Sequence, residues 1–132
     1  MAERFAIPIT PVAGDIDELG HVSNLVYLRW VQDVALAHSN ALGWDLPRYY
    51  AYGAAFMVRR HEIDYIAQVT LGDELRAETW VETWRMASCI RKTELVRGTT
   101  VVARAATTWA LIALGSGRPQ RIPPDIVELF SR

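Results

Sequence analysis

The chain has a single cysteine, Cys89, among its 132 residues. One thiol excludes any internal disulfide framework and fits a reducing compartment. No stretch approaches the roughly 20 apolar residues that span a bilayer, so a membrane helix is excluded. The opening Met1-Ala2-Glu3-Arg4-Phe5 lacks a basic segment followed by an apolar run. No signal peptide is expected from it, and a cytoplasmic location is the default expectation. An excess of charge of one sign is also missing: 14 Lys and Arg face 15 Asp and Glu, a net charge of −1. The chain as a whole therefore offers no electrostatic case for binding nucleic acid or an anionic membrane. His38 and His61 stand at no metal-ligand spacing to each other or to Cys89, which points to structural roles and to no bound metal. Repeats and low-complexity tracts are absent.

What remains is ordinary and sufficient. Hydrophobic residues make up 51% of the chain, enough for one real core but not for two at this length. One domain over 1–132 is expected. Residues 4–12 read as a short strand, and Pro8 and Pro11 make it an edge strand or an irregular one, because proline donates no ladder hydrogen bond. Ser23 or Asn24 caps a helix running to about Leu42, with Leu28, Val31, Val34, Ala35 and Leu42 on its apolar side and Gly43 as its stop. A tyrosine-rich connector follows, through Tyr49, Tyr50 and Tyr52. The period then changes to two. Strands are expected over 55–70, 74–86, 89–97 and 100–114, with a hairpin turn at Gly98-Thr99 and a short final helix from Pro123 to Phe130. The expected class is α+β, an antiparallel sheet of about five strands against one long helix.

The chain is organised around Gly14-Asp15-Ile16-Asp17-Glu18-Leu19-Gly20-His21-Val22-Ser23-Asn24-Leu25-Val26-Tyr27. Two acids, a glycine turn, a histidine and an asparagine run straight into the helix start. An acid there can activate water, while unpaired backbone N–H groups at a helix N-terminus can polarise a carbonyl. Taken alone, Asp15, Asp17 and Gly20 are equally the residues of a plain turn, and Asn24 of a plain helix cap. A calcium loop is dismissed, since Leu19 and Val26 fall where oxygen ligands are needed.

With Asp17, Gly20-His21-Val22, Asn24 and Tyr27 in this spacing, the chain resembles the hotdog-fold thioesterases, in particular the 4-hydroxybenzoyl-CoA thioesterase-like branch. Val58-Arg59-Arg60-His61-Glu62-Ile63-Asp64-Tyr65 and Leu71-Gly72-Asp73-Glu74-Leu75 resemble that family's second strand and following turn. Ser23 departs from it, standing where asparagine is common. The resemblance implies a sheet curled around the central helix and hydrolysis of an acyl-CoA thioester without an organic cofactor. It places Asp17 as nucleophile or general base and the Ser23 and Asn24 amides as the oxyanion stabiliser. His21 and the Asn24 side chain would orient water or the acid.

Around that centre, Tyr27, Phe56, Met57 and Val58 are candidates for an acyl pocket, or for plain core. Arg91 and Lys92, with Arg97, Arg118 and Arg121, are candidates for the phosphates of coenzyme A. Glu62 is a lesser alternative to Asp17. Trp80 and Trp84, on a face that alternation makes polar, suggest a partner subunit. Family members pair into homodimers and homotetramers. Two other readings share this fold, a thioesterase acting on acyl-carrier protein and a non-catalytic acyl-thioester-binding module; a dehydratase fits the motif less well.

Overall fold

The computed structural model describes residues 3–132; Met1 and Ala2, which open the segment read above for an export signal, lie outside them. Five strands and three α-helices follow in the order β1 (Phe5–Ile9), α1 (Asn24–Ala41), α2 (Leu46–Tyr52), β2 (Ala54–Tyr65), β3 (Leu75–Trp84), β4 (Ser88–Arg97), β5 (Thr100–Ala113) and α3 (Pro124–Phe130). The strands form one antiparallel sheet in the order β1-β3-β4-β5-β2. The proline-bearing β1 is an edge strand, as its missing N–H requires. Among the described residues no helix is long and apolar enough to cross a membrane.

Ser23 caps α1, its hydroxyl accepting from the Leu25 N–H at 3.2 Å. The buried stripe of α1 is Val26, Tyr27, Trp30, Val31, Val34, Ala35 and His38, spaced at three and four residues. Leu28 and Leu42, assigned to that stripe from the sequence, are only half-buried at its margin. Val26, Tyr27, Trp30 and Val34 pack with Leu75 and Ala77 of β3, Leu95 of β4 and Val102 of β5. A second core, at the other end of the sheet, joins Trp44 and Tyr49 to Val81, Leu111, Ile126 and Phe130.

Three expectations fail locally, each for a physical reason. The tyrosine-rich connector contains α2. Asp45 caps it by accepting from the Arg48 N–H at 3.0 Å, and Gly53 ends it at φ +92°. Pro47 thus opens a second helix besides following the first, since a first turn needs no proline N–H. β2 ends at Tyr65 instead of running to 70, because the Ile66 and Ala67 N–H groups both turn to the Val102 carbonyl, at 2.9 and 3.0 Å. Finally, the pairing of β3 with β4 shifts register between Val81 and Thr83. Such a bulge reverses the facing of everything beyond it. Trp84 therefore points inward onto Phe130, with its Nε1 donating to Ser131 Oγ at 3.0 Å. Trp80, before the bulge, is half-buried beneath the Arg4 guanidinium, 4.1 Å above its ring. The two tryptophans do not form an exposed pair.

His38 lies buried against β4, where Arg91 Nη1 donates to its Nδ1 at 2.9 Å. Burial, reinforced by the facing cation, pushes its pKa down to about 4. The unfolded chain therefore takes up this proton first, between about pH 6.5 and 4, and stability must fall as pH falls through that window. Burial lowers the half-buried His61 in the same direction. The expected loss is up to about 3 kcal/mol for His38, read as a falling urea midpoint between pH 7 and 4.5. A midpoint that is flat or rises over that window would contradict a buried neutral His38.

Candidate active site

The segment before α1 folds into a tight, self-bonded turn. Gly20 takes φ +81°, a conformation that side-chain-bearing residues rarely adopt. Its N–H donates to the Asp17 carbonyl at 3.1 Å, and the Asp17 N–H donates to the His21 carbonyl at 2.8 Å. Asp17 Oδ1 accepts from the Leu19 N–H at 2.9 Å and from the His21 N–H at 3.5 Å. Oδ2 meets no donor among the described residues. One carboxylate oxygen fixes the turn, and the other is free.

Asp15, two residues earlier, has a different task. It is buried, with Oδ2 accepting from the Val12 N–H at 3.0 Å and Oδ1 from Arg29 Nη2 at 2.8 Å. The Val12 N–H, helped by the Arg29 guanidinium, holds its pKa below the ordinary carboxylate range. The Asp15 carbonyl also accepts from the Ser23 N–H at 2.9 Å. That bond removes Ser23 from the expected pair of oxyanion donors. Of the two amides, only that of Asn24, at the positive end of the α1 dipole, remains unengaged among the described residues.

Asp17, His21 and Asn24 stand together on the rim of a cleft of about 350 Å³. Tyr27 and Val22 line it from below, and Tyr65 to Gln68, the chain that leaves β2, form its opposite wall. That wall is pinned three ways. The Tyr27 hydroxyl donates to the Ala67 carbonyl at 3.0 Å, the Val22 N–H donates to the Val69 carbonyl at 2.8 Å, and Arg97 Nη1 donates to the Gln68 carbonyl at 2.8 Å. Burial pushes the Tyr27 phenol up, so it acts here as a hydrogen-bond donor. The Tyr65 hydroxyl donates to the Asn24 carbonyl at 3.2 Å and closes the wall against the helix start. Ile66 to Gln68 gave no motif signal in the sequence, and Tyr65, the last residue of the second motif, gave none for a site role; its hydroxyl reaches Asn24 only in the fold.

The other expected contacts lie elsewhere. Phe56, Met57 and Val58 do not line this cleft: Met57 is exposed, Val58 half-buried, and Phe56 faces a separate cavity. Arg91 is buried at that same separate cavity, far from any mouth at Asp17. Lys92 alternates to the outer face, 3.7 Å from Glu82. Arg97 is engaged by Gln68 and by Asp73 at 3.0 Å, while Arg118 and Arg121 are exposed away from the cleft. Glu62 is exposed on β2, paired with Arg60, and also stands off the cleft. Among the described residues no lysine or arginine lines the Asp17 cleft. Nor do any three His, Cys, Asp or Glu side chains group closely enough to hold a metal.

Comparison with known proteins bears on the family and the fold. The family model of the thioesterase-like superfamily matches residues 11–130, nearly the whole chain. The chain belongs to that superfamily. Its sequence is 25% identical over 127 residues to the acyl-CoA thioesterase YbgC of Haemophilus influenzae, covering 96% of this chain and 93% of that protein. Its fold is that of the 1,4-dihydroxy-2-naphthoyl-CoA thioesterase Slr0204 from Synechocystis. The two superpose with a TM-score of 0.87 at 18% identity, over 97% and 96% of the chains. It is equally that of the protein SAV2348 from Staphylococcus aureus solved in complex with CoA. There the TM-score is 0.90 at 15% identity, over 98% of this chain and 82% of the other. The fold is the hotdog, and thioester hydrolysis is the reaction class for this superfamily member.

Proposed function

We propose that this protein is an acyl-CoA thioesterase in which Asp17 is the nucleophile or general base. The observation that carries the reading is the Asp17 carboxylate itself, held through Oδ1 by the turn and open at Oδ2, on the same rim as the α1 N-terminus. Hydrolysis of a thioester needs an attacking oxygen and a donor for the developing oxyanion, and little help for the thiolate leaving group. Asp17 Oδ2 supplies the first, directly or by taking a proton from water. The Asn24 N–H supplies the second, with the helix dipole behind it. His21 and the Asn24 side chain make no side-chain hydrogen bond within the chain, among the described residues, and are placed to orient the water. Tyr27 and the Tyr65–Gln68 wall hold the acyl end. The curated relative and the CoA-bound neighbour named above support coenzyme A as the carrier.

The protein is proposed to work as a homodimer or homotetramer. β2 is a twelve-residue edge strand whose outer side is unpaired among the described residues, the kind of edge that natural sheets pair or cover. A partner joined there would also account for a cleft that has no phosphate-binding cation among the described residues.

Free-thiol release from a panel of short-chain, long-chain and aromatic acyl-CoAs, with acyl-carrier-protein thioesters alongside, tests the reading. Turnover of at least one acyl-CoA is expected, from a species that sediments as dimer or tetramer. Turnover of carrier-protein thioesters alone would move the substrate to that class. Saturable binding of every acyl-CoA without thiol release would make the protein a binding module.

A further inference from the structure

The second cavity, of about 460 Å³, lies between the C-terminal half of α1, α2 and the inner face of the sheet. It shares no lining residue with the Asp17 cleft. Along α1 their nearest lining residues are Tyr27 and Ala35, about 12 Å of helix apart. The walls are mostly apolar, with Phe56, Val81, Trp84 and Phe130 among them, and exposed Leu36 and Leu46 stand at the mouth. Asp45 also lies at the mouth, where its carboxylate is engaged in capping α2.

Into this apolar space the chain places a cation. Arg91 is only 5% exposed. Its Nη1 donates to His38 Nδ1 at 2.9 Å and to Thr79 Oγ1 at 3.1 Å, and both acceptors are neutral. Among the described residues no carboxylate pairs with it, and its Nε and Nη2 find no protein acceptor. Burial pulls its pKa down to about 10, so it is still charged at neutral pH. A buried charge without a counter-ion is costly, and proteins retain one where something else completes it. A second unpaired donor stands beside it. Trp109 Nε1 is sealed from solvent with no partner among the described residues, while other atoms of Trp109 line the same cavity. Arg91 pairs across the sheet with Thr107 and Cys89 with Trp109, so Arg91 and Trp109 are diagonal neighbours on one face. The Arg91 guanidinium, short of acceptors, thus lines an apolar pocket of ordinary small-ligand size, with Trp109 as its diagonal neighbour on the same wall.

We propose that this cavity binds a monocarboxylate with an apolar body, a medium-chain fatty acid or an aryl-alkanoic acid. The carboxylate accepts from Arg91, and the hydrocarbon lies along Phe56 and Trp84. The site is separate from Asp17 and does not depend on thioester hydrolysis.

Sodium decanoate is the probe, with 1-decanol as its uncharged counterpart. Trp44, Trp84 and Trp109 line the cavity and make binding visible in tryptophan fluorescence. Decanoate is expected to bind saturably and at least tenfold more tightly than decanol. Arg91→Met, which keeps the volume and removes the charge, is expected to bring decanoate down to the decanol level. Asp17→Asn is expected to leave decanoate affinity unchanged, which separates this site from the reacting cleft. Equal affinity for decanoate and decanol in the wild type overturns the proposal without any variant. It is equally overturned by the absence of a saturable response, by wild-type affinity in a folded Arg91→Met, or by a tenfold change either way in Asp17→Asn.

Discussion

Asp17→Asn is expected to lower kcat for thioester hydrolysis by about a hundredfold or more, the range that a positioned base supplies. The change is nearly isosteric. The asparagine carbonyl oxygen can still accept from the Leu19 N–H, now at 2.9 Å to Oδ1, so the 17–21 turn keeps its geometry. What is lost is the free oxygen, which becomes an amide that neither attacks nor takes a proton. The loss should fall on kcat with KM within a fewfold, because the cleft walls of Tyr27 and Tyr65–Gln68 are untouched. Thermal stability should hold, since Asp17 is exposed and its cap to Leu19 persists. A variant that keeps more than a tenth of wild-type kcat with unchanged stability would remove Asp17 from the chemistry. Equal loss in kcat and in melting temperature would make it only a turn residue.

The largest effect on stability is expected at Trp30. This side chain is 3% exposed in the middle of the α1 stripe, its ring 5.8 Å from that of Tyr27, within the core that holds Leu95 and Val102. Trp30→Ala should cost about 3–5 kcal/mol, the transfer of a large aromatic surface plus the cavity it leaves. For a chain of this size that lowers the melting temperature by more than about 10 °C. Paired urea and thermal melts check it, and Trp30→Phe should recover more than half of the loss. A cost below about 1 kcal/mol would mean that α1 is not the main support of the sheet. Activity offers a second readout, because Tyr27 both packs on Trp30 and pins the cleft wall through Ala67. Thiol release by the folded Trp30→Ala should therefore fall as well, through a raised KM.

The sequence by itself determined what is local. A helix cap at Ser23 or Asn24, Gly43 as helix end, the Gly98-Thr99 hairpin and the exclusion of β1 from the sheet's middle all follow from one residue's hydrogen bonds or dihedral freedom. The stretch from Asp17 to Tyr27 was legible for the same reason: its turn and its helix start are bonded within themselves. Tertiary structure decided everything that depends on partners far along the chain. Trp84 reads as an outward residue by alternation, and a bulge against β4 turns it in. Arg91 and Lys92 are adjacent cations in the sequence, and strand alternation separates them, one into the core and one to the surface. Nothing in their neighbours says which goes inside, because Cys89-Arg91-Thr93 is no more apolar than Ile90-Lys92-Glu94. Residues 66–70 look like strand, yet Ile66 and Ala67 leave it to bond the Val102 carbonyl, and Ile66 to Gln68 line the cleft. Propensity and period act over a few residues. Register, bulges and the sign of a face are settled by which long-range pairing buries the most apolar surface, and that comparison exists only once the sheet has closed around the helix.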